Sequence, residues 1–156
     1  MKIISKSVKE TLNLGASLAR RLQPGDIICL QGGLGSGKTT LTKGIAAGLG
    51  ISPSEVTSSS FILIRPHLAG KIPLFHFDFY RLKRSSDIVG LGFEEYFYGE
   101  GVSVVEWPEK LDCLMPKERL MVKLAYAQAD KRIFEFSGQG SRYKDLLRSW
   151  DEDISH

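Results

Sequence analysis

The sequence has few cysteines and no long apolar run. Its two cysteines, Cys29 and Cys113, form no Cys-x-x-Cys pair, and we expect Cys29 to be a small buried side chain rather than a ligand or a nucleophile. No stretch approaches the about 20 apolar residues of a membrane span, and residues 1–10 lack the apolar core of a signal peptide. These absences argue against a disulfide-rich or membrane-bound protein and predict a reduced, cytoplasmic one.

Charge of one sign is not concentrated anywhere in the chain. The net charge is +3, and lysine and arginine alternate with acidic residues, apart from the short basic group Arg81 to Arg84. We therefore expect little direct binding to nucleic acid. With 156 residues, of which 42% are hydrophobic and 25% charged, the composition is typical of one globular domain. We place this domain at residues 1–140, with 141–156 as its C-terminal helix and tail.

The most specific motif is a glycine-rich loop between a strand-like and a helix-like segment. An apolar run, Ile27 to Leu30, precedes Gly32-x-x-x-x-Gly37-Lys38-Thr39, and residues 39–49 have a helical pattern that ends before a glycine. This is a Walker A motif in its expected setting. The sequence therefore predicts that the chain binds a nucleoside triphosphate.

The chemistry of this loop predicts what its residues do. A glycine backbone can approach an anion closely and turn successive N–H groups toward phosphate oxygens. Lys38 would reach the β- and γ-phosphates, with its side chain on a solvent-facing loop in the empty protein, and the Thr39 hydroxyl would coordinate Mg²⁺. The predicted nucleotide-binding residues of the loop are Gly33, Leu34, Gly35, Ser36, Gly37, Lys38, Thr39 and Thr40.

Hydrophobic periodicity predicts the elements around the loop. A short strand at Ile3 and Ile4 is followed by a helix that begins at the capping-box pattern Ser7-x-x-Glu10. Further strands are predicted at residues 61–65, 72–79 and 102–107, a hairpin on either side of 127–131, and a closing helix at 141–150 before a frayed tail at 151–156. These elements predict an α/β fold of the P-loop NTPase-like, three-layer type with a mixed central sheet of about seven strands.

Two acidic residues end apolar strands, where a P-loop enzyme needs carboxylates for Mg²⁺ and for the attacking nucleophile. Asp78 in HFDFYRL has the place of a Walker B aspartate, and His76 is on the same face of its strand. Glu106 in VVEWPEK precedes Trp107, whose indole would shield the site or stack on the base. Which carboxylate polarises water stays open, and we expect His76 to be a packed or exposed strand residue.

A hydroxyl-rich run, Ser58 to Ser60, lies between the loop and Asp78. In nucleotide switches such a segment supplies a hydroxyl to Mg²⁺ and folds when the γ-phosphate is present, and a plain serine-rich turn fits the spacing equally well. Lys131 and Arg132, at the predicted hairpin turn, either approach the nucleotide or are solvated, and we favour solvation.

The order of the motifs resembles one known family. GGLGSGKTT, VTSSSF, HFDFYRL, GFEEYF and VVEWPEKL follow one another as in the TsaE (YjeE) family, small bacterial ATPases required for threonylcarbamoyladenosine modification of tRNA. The resemblance runs from the first helix to about Leu124. The family usually has Ser-Pro-Thr-Phe where this chain has Ser58-Ser59-Ser60-Phe61, so the loop loses a stiffening proline, although Ser60 keeps a hydroxyl.

The resemblance implies a mixed α/β domain that uses ATP and Mg²⁺. Glu106 would contribute to the metal site with Asp78 and Ser60 nearby, and Trp107 would lie close to the nucleotide. It also implies that TsaB and TsaD are the partners through which the chain reaches tRNA indirectly, with ATP hydrolysis resetting that complex. The expected catalytic residues are Lys38, Asp78 and Glu106, and the expected metal ligands are Thr39, Ser60, Asp78 and Glu106.

Two other classes of protein share a Walker A motif. A small kinase would transfer the γ-phosphoryl group to a metabolite and close an arginine-bearing lid, for which Arg81 and Arg84 are the candidates. A GTP-dependent switch would need the asparagine of an Asn-Lys-x-Asp site, and the only asparagine, Asn13, precedes the loop. Adenine is therefore the expected base.

Overall fold

Strands and helices alternate along most of the chain. The structure, a computed structural model, describes residues 1–57 and 64–155. The strands are β1 (Lys2–Ser5), β2 (Ile27–Gln31), β3 (Ile64–His67), β4 (Leu74–Asp78), β5 (Val102–Glu106), β6 (Arg119–Tyr126) and β7 (Arg132–Gln139). The α-helices are α1 (Val8–Ala19), α2 (Lys38–Gly48), α3 (Phe93–Phe97) and α4 (Ser141–Ile154), and 3₁₀ segments occupy Pro53–Glu55, Ser85–Leu91 and Pro108–Leu114.

The strands form one sheet in the order β1-β7-β6-β2-β5-β4-β3. The four strands β6, β2, β5 and β4 pair in parallel, whereas β3 is antiparallel to β4, and β7 is antiparallel to both β6 and β1. The described residues therefore confirm the predicted α/β fold with a mixed sheet of 7 strands. Because parallel strands carry their carboxyl ends to one edge, the segments that follow β2, β4 and β5 meet there.

Alternation along the strands sends side chains into two apolar cores, one on each face of the sheet. On one face, Leu30 and Val104 pack with α1, α2 and α4. On the other face, Phe77 and Val105 pack with α3 and the two longer 3₁₀ segments, which makes the three layers. Cys29 lies in this second core, and burial raises its pKa to about 12, which confirms that it is a buried thiol.

Two glycines let α1 and α2 approach closely. A Cβ atom on Gly15 would lie 2.6 Å from the carbonyl oxygen of Leu41, and one on Gly44 would lie 2.4 Å from that of Leu12. Ser7 caps α1, as its sequence pattern predicts. The close packing therefore holds the first turn of α1 beside the glycine-rich loop that leads into α2.

The C-terminal helix is longer than predicted. α4 continues past Trp150 to Ile154, so the prediction of a frayed tail from residue 151 is wrong for the described residues. An ion pair between Arg21 and Asp153 ties its last turn to the chain that follows α1, and the fully buried Trp150 donates from Nε1 to Ser17 Oγ at 2.9 Å. No helix in the described part of the chain is long and apolar enough to cross a bilayer.

Two strands are shorter than predicted. β4 begins after Pro73, which has no N–H to donate to the sheet. β5 ends at Glu106 because the next residue, Trp107, has a left-handed φ of 58°. The start of the strand predicted at 61–65 lies outside the described residues.

Candidate nucleotide-binding site

Three parallel strands end at one edge of the sheet and bring the predicted site residues together. Leu30 of β2 is level with Glu106 of β5, which is in turn level with Asp78 of β4. The glycine-rich loop begins after Gln31 and leads to α2, whose first residue is Lys38. The loop and the two carboxylates therefore share a cleft of about 510 Å³.

This cleft contains most of the predicted nucleotide-binding and metal-binding residues. Its walls include Leu34, Gly35, Gly37, Lys38, Thr39, Thr40, Asp78, Glu106 and Trp107. Gly33 and Ser36 are not in the walls. Gly33 is exposed, and Ser36 is buried and donates its N–H to the Gly33 carbonyl oxygen at 3.2 Å. The predicted metal ligand Ser60 lies outside the described residues.

The backbone of the loop suits an anion. Gly35 and Gly37 have φ angles of 77° and 107°, in the region that favours glycine. A Cβ atom on Gly33 or Gly35 would meet no atom within 4 Å, so the loop is open on that side. No side chain caps the N-terminus of α2, and its N–H groups and positive dipole end are available to a phosphate group.

Lys38 is folded back onto its own loop. Its Nζ donates to the carbonyl oxygens of Gly32 and Gly33 at 2.6 and 2.8 Å and lies 4.6 Å from the centroid of the Trp107 ring. The residue is only 6% exposed, which corrects the expectation of a solvent-facing side chain. Burial lowers the pKa of Lys38, and the nearby Glu106 carboxylate acts in the opposite direction.

Each of the two carboxylates has a hydrogen-bonding neighbour. Asp78 Oδ1 accepts the backbone N–H of Tyr80 at 3.0 Å, and the Oε2 atom of the buried Glu106 lies 2.5 Å from His76 Nε2. Burial raises the pKa of Asp78, the Tyr80 N–H lowers it, and the charge of Glu106 raises it again.

The donor set fits a hard cation bound together with phosphate. Thr39 contributes a hydroxyl, and Asp78 and Glu106 contribute carboxylate oxygens, which are the ligand types that Mg²⁺ prefers. The described residues contain no group of three His, Cys, Asp or Glu side chains placed to hold a metal ion. A nucleotide-bound Mg²⁺ does not need one, because it usually uses one or two carboxylates beside phosphate oxygens and water.

Trp107 adopts an unusual backbone conformation at the edge of the cleft. Its φ and ψ are 58° and 49°, which is uncommon for a residue other than glycine. The turn places the indole over Lys38, with its centroid 5.1 Å from that of the Tyr80 ring. Strained residues of this kind are concentrated at ligand sites, and the position of Trp107 beside the nucleotide stays a prediction.

Arg132 reaches the loop from the start of β7. Its Nε donates to the Gly35 carbonyl oxygen at 3.1 Å, and its guanidinium carbon lies 4.7 Å from the centroid of the Tyr126 ring. The side chain is half-buried and lines the cleft, so the expectation that Arg132 is solvated is wrong. A sequence signal existed, since Arg132 alternates with Phe134 and Phe136 and so belongs to the face that packs against α2.

The arginines expected for a kinase lid lie elsewhere. Arg84 is exposed, and its Nη2 lies 3.6 Å from Asp87 Oδ1. Neither Arg81 nor Arg84 lines the cleft. Lys131, which precedes Arg132 in the turn between β6 and β7, is exposed, as expected.

Comparison with known proteins identifies the family. The family model described as "Threonylcarbamoyl adenosine biosynthesis protein TsaE" matches residues 5–134. The chain belongs to the TsaE family. A protein of Bacillus subtilis named "tRNA threonylcarbamoyladenosine biosynthesis protein TsaE" is 41% identical over 88% of this chain and 85% of its own length. A protein of the same name from Treponema pallidum is 38% identical over 80% of this chain and 90% of its own.

A solved structure has the same fold. The crystal structure of YdiB from Bacillus subtilis has a TM-score of 0.84 and 36% identity to this chain, and the match covers 99% of this chain and 95% of that one. Together with the family model, this confirms both the resemblance to the TsaE family and the P-loop NTPase-like fold.

Two residues of this TsaE-family site, His76 and Arg132, make contacts that their sequence positions do not reveal. His76 shares the Asp78 face of β4, so alternation placed it correctly but could not show which side chain it meets. The cleft also extends to the first turn of α1, where Ser7, Val8 and Thr11 line it. No local motif assigns these three residues to the cleft, since the capping pattern at Ser7 predicts only the start of α1, and the packing of α1 on α2 brings them there.

Proposed function

We propose that this chain is a Mg²⁺-dependent P-loop ATPase that serves threonylcarbamoyladenosine modification of tRNA. The observation that carries the proposal is the meeting of Lys38, Asp78 and Glu106 in one cleft beside a glycine-rich loop. Membership of the TsaE family supports the role in tRNA modification. ATP is the expected nucleotide because the only asparagine, Asn13, is in α1 and cannot belong to a guanine-specific Asn-Lys-x-Asp motif after the loop.

In this proposal, the loop and Lys38 bind the phosphates. Lys38 exchanges the carbonyl oxygens of Gly32 and Gly33 for β- and γ-phosphate oxygens, while the N–H groups at the start of α2 hold the same anion. Trp107 borders the nucleotide and keeps bulk water from this side of the cleft.

The oxygen ligands of the cleft have two tasks. Thr39, with Asp78 or Glu106, would hold Mg²⁺, whose charge stabilises the phosphate oxygens as the bond to the γ-phosphate breaks. A carboxylate that does not bind the metal directly orients the attacking water, and Asp78 and Glu106 are level on neighbouring strands, so either can take that role.

We expect the ATPase to act in the cytoplasm with TsaB and TsaD and to reach tRNA through that complex, since its own basic residues are dispersed.

We also propose that residues 1–140 form the ATPase domain and that 141–156 belong to the same domain. The burial of Trp150 in the core that contains α1 and α2 supports this view.

Phosphate release with ATP and with GTP, each with and without TsaB and TsaD, tests the function. We expect weak release from ATP by the chain alone, clear stimulation by the two partners, and little release from GTP. Transfer of the labelled γ-phosphoryl group to a small metabolite would indicate a kinase instead. Absence of phosphate release under all conditions would contradict the ATPase proposal.

A further inference from the structure

His76 and Glu106 form a buried polar pair at the base of the cleft. Nε2 of the imidazole lies 2.5 Å from Oε2 of the carboxylate, and the two side chains are 3% and 4% exposed. Leu74 and Val104, beside them in the two strands, are fully buried apolar residues. A buried polar pair of this kind is often no more stabilising than apolar residues of the same volume, so stability alone does not explain it.

The register of two strands makes the contact possible. In the parallel pair of β4 and β5, His76 is level with Val104, and Asp78 is level with Glu106. Alternation puts all four side chains on the same face of the sheet. His76 therefore lies one residue pair further from the cleft than the two carboxylates. Its ring extends toward the cleft and contacts Glu106 through Nε2.

We propose that His76 is a positioning residue that holds the Glu106 carboxylate toward the glycine-rich loop. The inference rests on the proposed ATPase function of the same cleft. The His76 Nε2–H donates to Oε2, which leaves Oε1 of Glu106 for a cation or a water molecule in the cleft. A glutamate side chain has several rotatable bonds, and a hydrogen bond from a ring that is itself packed in the sheet restricts them before any ligand binds.

The neighbouring charges explain why this restraint has an effect. The ammonium group of Lys38 is close enough to Glu106 for their charges to interact, and without the bond from His76 it would compete with a metal ion for the carboxylate. Asp78 is restrained differently, because its partner is the backbone N–H of Tyr80. Of these two restraints, the His76 bond is therefore the one that a side-chain substitution can remove.

Two substitutions of His76 and one matched control test the inference. His76→Leu removes the donor and keeps an apolar side chain in the strand, whereas the amide of His76→Gln can place an N–H near the position of Nε2. His67→Leu is the control, since His67 is a buried histidine of the adjacent β3 whose Nδ1 lies 3.8 Å from Glu55. Thermal unfolding of each variant shows whether it folds.

We expect His76→Leu to lower kcat for ATP hydrolysis about 10- to 100-fold, the usual effect of losing a group that orients a metal ligand. The affinity for ATP without Mg²⁺ would change less than about threefold, and the gain in affinity that Mg²⁺ gives the parent would shrink. His76→Gln would recover most of both losses, and His67→Leu would show neither. Parental kcat and parental Mg²⁺ dependence in a folded His76→Leu variant would overturn the inference.

Two measurements do not depend on turnover: NMR spectra of the His76 ring and the Mg²⁺ dependence of nucleotide affinity. Long-range ¹H–¹⁵N spectra of the parent would show the His76 proton on Nε2, at a frequency that shifts upfield in Glu106→Gln because a neutral amide is a weaker acceptor. A proton on Nδ1 alone would contradict the inference even if His76→Leu does not fold. If the parent releases no phosphate from ATP, the proposed function fails, and the spectra together with the Mg²⁺ dependence of nucleotide affinity still decide the role of His76.

Discussion

The ammonium group of Lys38 lies 4.6 Å from the centroid of the Trp107 indole. This contact joins the glycine-rich loop to the end of β5, two segments that are far apart in the sequence. In the structure Lys38 also donates to two loop carbonyl oxygens, so binding of a phosphate group requires it to change partners. The indole therefore lies where it can report that change.

Trp107 is expected to be the fluorescent reporter of nucleotide binding. Addition of ATP draws Lys38 toward the phosphates and changes the surroundings of the indole, so the intrinsic emission changes. Trp107→Phe removes most of this response. Trp150→Phe keeps it, because Trp150 is fully buried against Ser17 and Phe136, away from the cleft. A response that survives in Trp107→Phe and disappears in Trp150→Phe would place the nucleotide elsewhere.

Lys38→Ala is expected to weaken nucleotide binding without unfolding the chain. The substitution removes a charge-assisted hydrogen bond to phosphate worth about 1.5–3 kcal/mol, so the affinity falls roughly 10- to 150-fold and turnover is lost. Titration with a fluorescent ATP analogue measures the affinity. Lys43→Ala, further along α2 and outside the cleft walls, is the control. Equal nucleotide affinities of the two variants would contradict the assignment of Lys38 to the phosphate site.

Glu106→Gln is expected to lower the rate of ATP hydrolysis much more than the affinity for ATP. The amide keeps the size of the side chain but lacks the negative charge that a metal ion and a polarised water need, so turnover falls by about 100-fold while ATP affinity changes much less. A Mg²⁺ titration of turnover, repeated with Asp78→Asn, identifies the carboxylate that sets the metal dependence. If Glu106→Gln has the parental Mg²⁺ dependence and Asp78→Asn does not, the metal role belongs to Asp78.

Arg132→Ala is expected to weaken nucleotide binding by about fivefold, which corresponds to a hydrogen bond worth about 1 kcal/mol at a half-buried position. The physical reason is the bond from Arg132 to the Gly35 carbonyl oxygen, which supports the loop in the shape that an anion needs. Lys131→Ala changes the neighbouring exposed cation and serves as the control for net charge. The same affinity in both variants would show that Arg132 does not support the loop.

Tyr143→Phe is expected to lower the free energy of unfolding by about 1–3 kcal/mol at pH 7, because the buried N–H of Ile27 loses its acceptor, the Tyr143 hydroxyl at 2.8 Å. Urea unfolding measures the change. Burial raises the pKa of Tyr143 from 10.0 to about 12, so the unfolded chain releases this proton at a lower pH than the folded one. The parent therefore loses stability as the pH rises from about 10 to about 12, whereas the variant lacks this contribution. A constant difference between the two proteins across that range would contradict the assignment.

Local sequence was sufficient to predict those elements that a short motif or the hydrophobic spacing of neighbouring residues marks. The Walker A motif, the strand before it and the helix after it depend on glycine conformations and on hydrophobic spacing within about 25 residues, and all three are present in the structure. The apolar runs before them likewise predicted that Asp78 and Glu106 end their strands. The capping pattern at Ser7 predicted the start of α1.

The contacts between these elements depended on the order of the strands. Periodicity shows which face of a strand is buried but not which strand lies beside it. In the structure β6 pairs with β2, and β7 follows on the other side of β6. This order brings Arg132 to Gly35 across 97 residues of sequence. The pairing of β4 with β5 likewise sets His76 against Glu106, and the folding of Trp107 over the loop buries Lys38. The sequence by itself thus determined which residues could bind a phosphate and a cation, whereas the tertiary structure decided which side chains hold them in place, because those contacts come from strand pairing between distant segments.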